Sequence, residues 1–292
     1  MPARVQARKP KPFAMKWILA LLATLLLSAS APLAAAPFHP TRFSVEVTGT
    51  GPDVILIPGL TASKEVWRGT VGAIPGYRYH LIQVSGFAGA PARGNAKGDV
   101  VAPLAEEIAR YIDASGLNRP AIVGHSMGGT LAMMIAARHP DRVGRVMAVD
   151  ILPQPAALMG ANAANLRGLS GLLRGLGSTE EGRGLIDSAI RLFGDDQAAN
   201  TKSDPDVVAR ATQELAVTDL TPELNRIRAP LTVVYAVADP AYGPSTARTY
   251  ASAYAPARNA RLVPVERSGH MIMRDQPSRF REALRAFLSA KG

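Results

Sequence analysis

Ala121-Ile122-Val123-Gly124-His125-Ser126-Met127-Gly128-Gly129-Thr130 is the stretch that decides the fold. Three apolar residues, two of them β-branched, make a short buried strand, and a helical pattern follows from about Met127 to Arg138. Between them the chain must reverse within a few residues around a serine flanked two positions away on each side by glycine. A glycine at each flank lets strand and helix approach closely, and a sharp turn holds the serine in a strained conformation. Such an elbow projects the Ser126 hydroxyl from the carboxyl end of a strand.

The rest of the chain repeats this rhythm outward. Strand candidates are Phe43 to Val47, Val54 to Ile57 (stopped by Pro58-Gly59), Tyr79 to Val84, Arg145 to Val149, Leu231 to Val237 and Arg261 to Val265. Val100, Val101, Leu104, Ile108 and Ile112 fall at helical spacing, with Gly116 as the stop. A last helix over Pro277 to Leu288 carries Phe280, Leu284 and Phe287 on one face. Strands alternating with helices predict an α/β fold: a largely parallel sheet covered on both faces. Between Pro153 and Leu220 the alternation fails. Gly-punctuated helical pieces, Leu169 to Leu176 and Leu185 to Phe193, predict a helical cap there.

The amino end reads differently. Arg4, Arg8, Lys9, Lys11 and Lys16 precede the apolar run Trp17 to Leu27, and small residues follow to Ala36. Those are the three parts of a secretory signal, and the run is shorter than the roughly 20 residues that span a bilayer. Export is therefore expected, to a periplasm or the medium, with cleavage near Ala35 and either Met1 or Met15 as the start. Membrane attachment is expected only if the signal stays uncleaved. The expected organisation is signal 1–36, first part of the core 37–152, cap 153–220 and second part of the core 221–292.

Charge and composition narrow the chemistry. The 292 residues carry 33 Lys and Arg against 23 Asp and Glu, net +10, but the signal holds five of the basic residues and no acid. The remainder is scattered without aromatic interleaving, so nucleic acid is not an expected partner. With no cysteine at all, a thiolate nucleophile, a disulfide framework and a cysteine metal site are excluded. No metal ligand set is expected from the remaining residues. The sequence leaves the oligomeric state open.

A serine needs a base, and five histidines make a short list. His39 adjoins the signal, His80 sits within a strand candidate, His125 is adjacent to Ser126 and expected to point away, and His139 ends the helix after the elbow. His270, in Ser268-Gly269-His270 between the last strand and the last helix, remains as the candidate base. The acid that orients it must also lie at the carboxyl edge of the sheet. Asp239, after Leu231 to Val237 and one strand before the histidine loop, is favoured; Asp150, after Arg145 to Val149, is the alternative. The backbone N–H groups of Met127 and Leu60 are the candidate oxyanion donors.

These residues together resemble the α/β-hydrolase superfamily: Ile57-Pro58-Gly59-Leu60 with Ser63 and Trp67 downstream, Gly124-His125-Ser126-Met127-Gly128-Gly129, Ala136-Ala137-Arg138-His139-Pro140, Asp239, and Ser268-Gly269-His270. The resemblance spans nearly all of the chain after the signal. It implies a mostly parallel eight-stranded sheet flanked by helices, with a helical cap inserted after strand 6, following Val149. It also implies hydrolysis of esters, thioesters, lactones or amides without a cofactor. One departure is Pro58-Gly59, where many relatives have His-Gly. Aspartate-nucleophile members are disfavoured by Ser126.

The expected reaction is cleavage of a small-to-medium carboxylic ester, a small-molecule substrate, through an acyl-enzyme on Ser126. Met127, Met271 and Met273 beside the triad, with Leu158 and Met159 at the start of the cap, are either an acyl pocket or core. Lactonase, carbon–carbon hydrolase, cofactor-free perhydrolase and peptidase chemistry use the same triad. A non-catalytic exported binding protein is the reading from a different class, and the intact Ser126, Asp239 and His270 speak against it.

Overall fold

A computed structural model describes residues 1, 38–159 and 202–290. The chain divides into two units, Met1–Pro37 and Phe38–Gly292, and the second contains the fold. The secretory pattern and the helical pieces Leu169 to Leu176 and Leu185 to Phe193 lie outside the described residues. No helix among the described residues is long and apolar enough to cross a membrane.

Seven strands form one sheet: β1 (Phe43–Thr48), β2 (Asp53–Ile57), β3 (Arg78–Val84), β4 (Ala121–His125), β5 (Arg145–Val149), β6 (Leu231–Val237) and β7 (Ala260–Glu266). Their order is β1-β3-β2-β4-β5-β6-β7. β1 runs antiparallel to β3, and every other pairing is parallel. The seven runs read from the sequence are these seven strands. The count of eight implied by the resemblance is corrected to seven among the described residues. In this count the 153–220 segment follows the fifth strand, which ends at Val149 as expected.

Alternation along β2 shows why the sheet is two-sided. Ile55 and Ile57 enter one buried cluster, Val54 and Leu56 the other. On the first face lie α1 (Val101–Ala114) and α2 (Met127–Arg138). From Met127 to Ala137 every residue of α2 is buried, as a helix apolar all round must be. On the other face α5 (Pro277–Ser289) buries Phe280, Leu284 and Phe287, and Phe280 packs 6.1 Å from the Trp67 ring. Met271 and Met273 belong to this second cluster, at 7% and 6% exposure, so those two methionines are core.

From the cap segment, a short 3₁₀ turn (Pro155–Met159) and α3 (Pro205–Val217) are described. Asp204 caps α3 by accepting from the amides of Asp206 and Val207. The helix is tied to the core by a carboxylate: Glu214 accepts from the amides of Val100, Val101 and Ala102 at 2.7–2.8 Å. These are the unpaired N–H groups that open α1, which has no side-chain cap of its own. Gly86, at φ +92°, leaves room for Val207, since a Cβ there would lie 2.8 Å from Val207 Cγ2.

Candidate active site

Ser126 closes β4 and opens α2 with φ +52° and ψ −120°, a left-handed conformation that a non-glycine residue adopts only under constraint. Its amide donates to the Val149 carbonyl at 2.9 Å, which locks the turn to β5. The glycines are required by space. A Cβ on Gly124 would lie 2.0 Å from the Gly128 carbonyl oxygen, and one on Gly128 would lie 2.2 Å from that of Ile57. Ser126 stays partly exposed while its neighbours on both sides are buried.

His270 lies in the loop after β7, half-buried. The Asp275 carboxylate pins that loop by accepting the Gly269 amide at 2.8 Å. Nδ1 of His270 meets Oδ2 of Asp150 at 2.8 Å. A carboxylate only accepts, so Nδ1 carries a proton, and in the neutral tautomer the lone pair is on Nε2.

Of the two acids weighed from the sequence, the structure places Asp150, the alternative, against His270, and Asp239, the favoured one, in a turn of its own. Asp239 is exposed, and its Oδ1 accepts the Ala241 amide at 2.9 Å to cap the short 3₁₀ turn Pro240–Tyr242. The proline after Asp239 starts that turn, and the carboxylate is turned to local capping. Asp150 instead takes φ +48° directly after β5, the strand beside β4. Its amide donates to Val234 at 2.7 Å, and its Oδ1 accepts the Ala236 amide at 2.8 Å and the Tyr250 hydroxyl at 3.1 Å.

Two residues of this arrangement were missed. Tyr250, from α4 (Gly243–Ala253), lies 100 positions from Asp150, and no local pattern announces it. His125, excluded as base and expected to point away, lies against the candidate base: the His125 and His270 rings are 4.6 Å apart. His125 Nε2–H donates to the His270 carbonyl at 2.9 Å. Burial, and then the neighbouring His270, hold the His125 pKa down at about 3. The ring is thus neutral, and its Nδ1 is buried without a hydrogen-bond partner among the described residues. Of the other histidines, His39 is exposed and two are held by side-chain partners. His80 is buried between Asp53 and the Tyr111 hydroxyl, and His139 pairs with Glu106.

The segment after β2 lies against the elbow. A Cβ on Gly59 would meet Ser126 Cβ at 3.2 Å and His125 Nδ1 at 3.0 Å, so only glycine passes there without displacing the neighbours. Leu60 follows, partly exposed, and Thr61 takes φ +61°, which strains a β-branched residue. Met127 is the first residue of α2, whose N-cap Ser126 makes no side-chain capping bond. Among the described residues no group of three or more His, Asp or Glu is arranged to hold a metal ion.

The sequence pattern of the α/β hydrolase fold matches residues 52–277. The chain belongs to the α/β hydrolase fold family. Within it, the pimeloyl-[acyl-carrier protein] methyl ester esterase of Aeromonas hydrophila subsp. hydrophila is 34% identical over 111 residues, 38% of this chain and 42% of that enzyme. The chain therefore spans less than half the length of that curated relative. The solved enol-lactonase of Burkholderia xenovorans LB400 superposes with TM-score 0.68 at 20% identity, covering 87% of this chain and 99% of that one. A thermophilic esterase from Thermogutta terrifontis superposes with TM-score 0.65 at 21% identity, covering 87% and 95%. Both likenesses are of α/β hydrolase fold.

Proposed function

We propose that this α/β hydrolase is a serine hydrolase that cleaves a small-to-medium carboxylic ester, with Ser126 as nucleophile, His270 as base and Asp150 as acid. The observation that carries the reading is the 2.8 Å bond from His270 Nδ1 to a buried Asp150, beside a serine held at positive φ. His270 Nε2 takes the Ser126 proton as Oγ attacks the ester carbonyl carbon. The N–H groups of Leu60 and Met127 receive the oxyanion, His270 returns the proton to the leaving alcohol, and water repeats the cycle on the acyl-enzyme. The similarity to a methyl ester esterase over 111 residues supports an ester over other carbonyl substrates. The secretory pattern of residues 1–36 supports an exported enzyme.

The test is hydrolysis of p-nitrophenyl acetate through octanoate by the wild type and Ser126→Ala. Turnover of the short esters that vanishes in the variant supports the reading. Equal rates in the two proteins contradict it.

A further inference from the structure

The acid of the pair is gripped from behind by an aromatic stack. Tyr250 is 3% exposed, its ring stacked on Tyr235 with centroids 4.2 Å apart and planes 17° from parallel. The Tyr254 ring lies 6.3 Å from that of Tyr250 at 6°. The Tyr254 hydroxyl donates to the Ile151 carbonyl at 2.7 Å, the residue after the acid. The Tyr250 hydroxyl reaches Asp150 itself. We propose that Tyr250 is a positioning residue for the hydrolytic reaction, its hydroxyl fixing the Asp150 carboxylate so that Oδ2 stays on His270 Nδ1.

A carboxylate has two equivalent oxygens and turns readily about its terminal torsion. One donor on Oδ1 would leave the group free to swing about that single bond. Here Oδ1 receives two, the Ala236 amide from β6 and the Tyr250 hydroxyl from α4. Donors from two different elements fix the carboxylate plane and occupy the lone pairs of Oδ1, which leaves Oδ2 to the imidazole. Asp150 also stands at φ +48°, a conformation that persists only when its surroundings over-determine it. Burial, and then the Asp150 charge, keep the Tyr250 hydroxyl protonated far above the ordinary tyrosine range, so it acts only as a donor toward Asp150.

This inference rests on Asp150 being the catalytic acid, so the experiment reads both. Tyr250→Phe keeps the stack and removes the hydroxyl; Tyr250→Met removes ring and hydroxyl together, as a second variant without the donor. With p-nitrophenyl butyrate, kcat is expected to fall about 10-fold in each with KM within twofold. In an Asp150→Asn background Tyr250→Phe is expected to change kcat by less than twofold, because the carboxylate it orients is gone. Tyr79→Phe removes a buried hydroxyl bonded to the Ile74 carbonyl far from the site and is expected to keep the wild-type kcat. Wild-type kcat in both Tyr250 variants, with Asp150→Asn strongly impaired, overturns the role of Tyr250 alone. The same loss in the presence and absence of Asp150 also overturns it, as would be seen for a merely structural tyrosine. Wild-type kcat in Asp150→Asn overturns the acid assignment and this inference with it.

Discussion

His125 Nε2–H donates to the main-chain carbonyl of His270 at 2.9 Å, so the residue before the candidate nucleophile holds the loop of the candidate base. The two rings lie 4.6 Å apart, and the same loop is also held by the Asp275 carboxylate on the Gly269 amide, the Asp150 carboxylate on His270 and the Gln276 side chain on the Arg267 carbonyl. His125→Phe fills the space without a donor, and kcat for a short ester is expected to fall about 10-fold or more. His125→Gln keeps an N–H near the Nε2 position and is expected to recover most of that loss. Steady-state kinetics of the two variants check the bond; equal losses in both contradict it.

The same histidine ties stability to pH. Its pKa is near 3 in the folded protein and about 6.5 when solvated, so below pH 6.5 the unfolded chain binds the extra proton. Its share of stability is complete above pH 6.5 and is lost as the pH falls toward 3, at up to about 1.4 kcal/mol per pH unit. His125→Gln removes that proton site. Urea denaturation at pH 7, 5.5 and 4.5 is expected to show a shallower acid loss in the variant than in the wild type. Parallel losses contradict the buried neutral imidazole.

The two aspartates separate on turnover. On the proposed assignment Asp150→Asn removes the charge that orients and stabilises the imidazolium, and kcat is expected to fall by about 10² to 10⁴. Asp239→Asn disturbs only an exposed cap and is expected to stay within about threefold of wild type. The converse ranking returns the acid role to Asp239.

Close packing at the elbow has its own signature. In Gly128→Ala the new methyl lies 2.2 Å from the Ile57 carbonyl oxygen and 2.7 Å from that of Pro58, both main-chain atoms that cannot rotate away. Overpacking of this kind is expected to cost at least ~2 kcal/mol. Gly69→Ala, whose nearest neighbour is the mobile end of Arg281 at 3.8 Å, is expected to be nearly neutral. Thermal denaturation of the pair checks this; equal Tm values contradict the tight elbow.

Much of this architecture is legible in the order of residues, and the reason is local. The helix after Ser126 ends at Arg138 as its pattern predicts, because both its limits are written in neighbouring residues: the elbow before, His139-Pro140 after. The seven apolar runs are legible for the same reason. The choice of acid is not. Asp150 and Asp239 each follow a strand, and what divides them is the Pro240 turn that occupies Asp239 and the β6 amide and α4 hydroxyl that converge on Asp150. Those partners stand 86 and 100 positions away, so only the folded sheet brings them together. His125 was passed over because adjacency to Ser126 suggests an opposite direction, whereas the strained serine turn lets the histidine ring lie beneath the His270 loop.

The central claim is a nucleophilic Ser126 activated through His270 and Asp150. Intact-mass and peptide mapping after a fluorophosphonate pulse test it most directly. The account predicts one adduct on Ser126 in the wild type, none in Ser126→Ala, strong slowing in Asp150→Asn and wild-type labelling in Asp239→Asn. An adduct that persists in Ser126→Ala, or labelling that Asp239→Asn slows and Asp150→Asn does not, contradicts it.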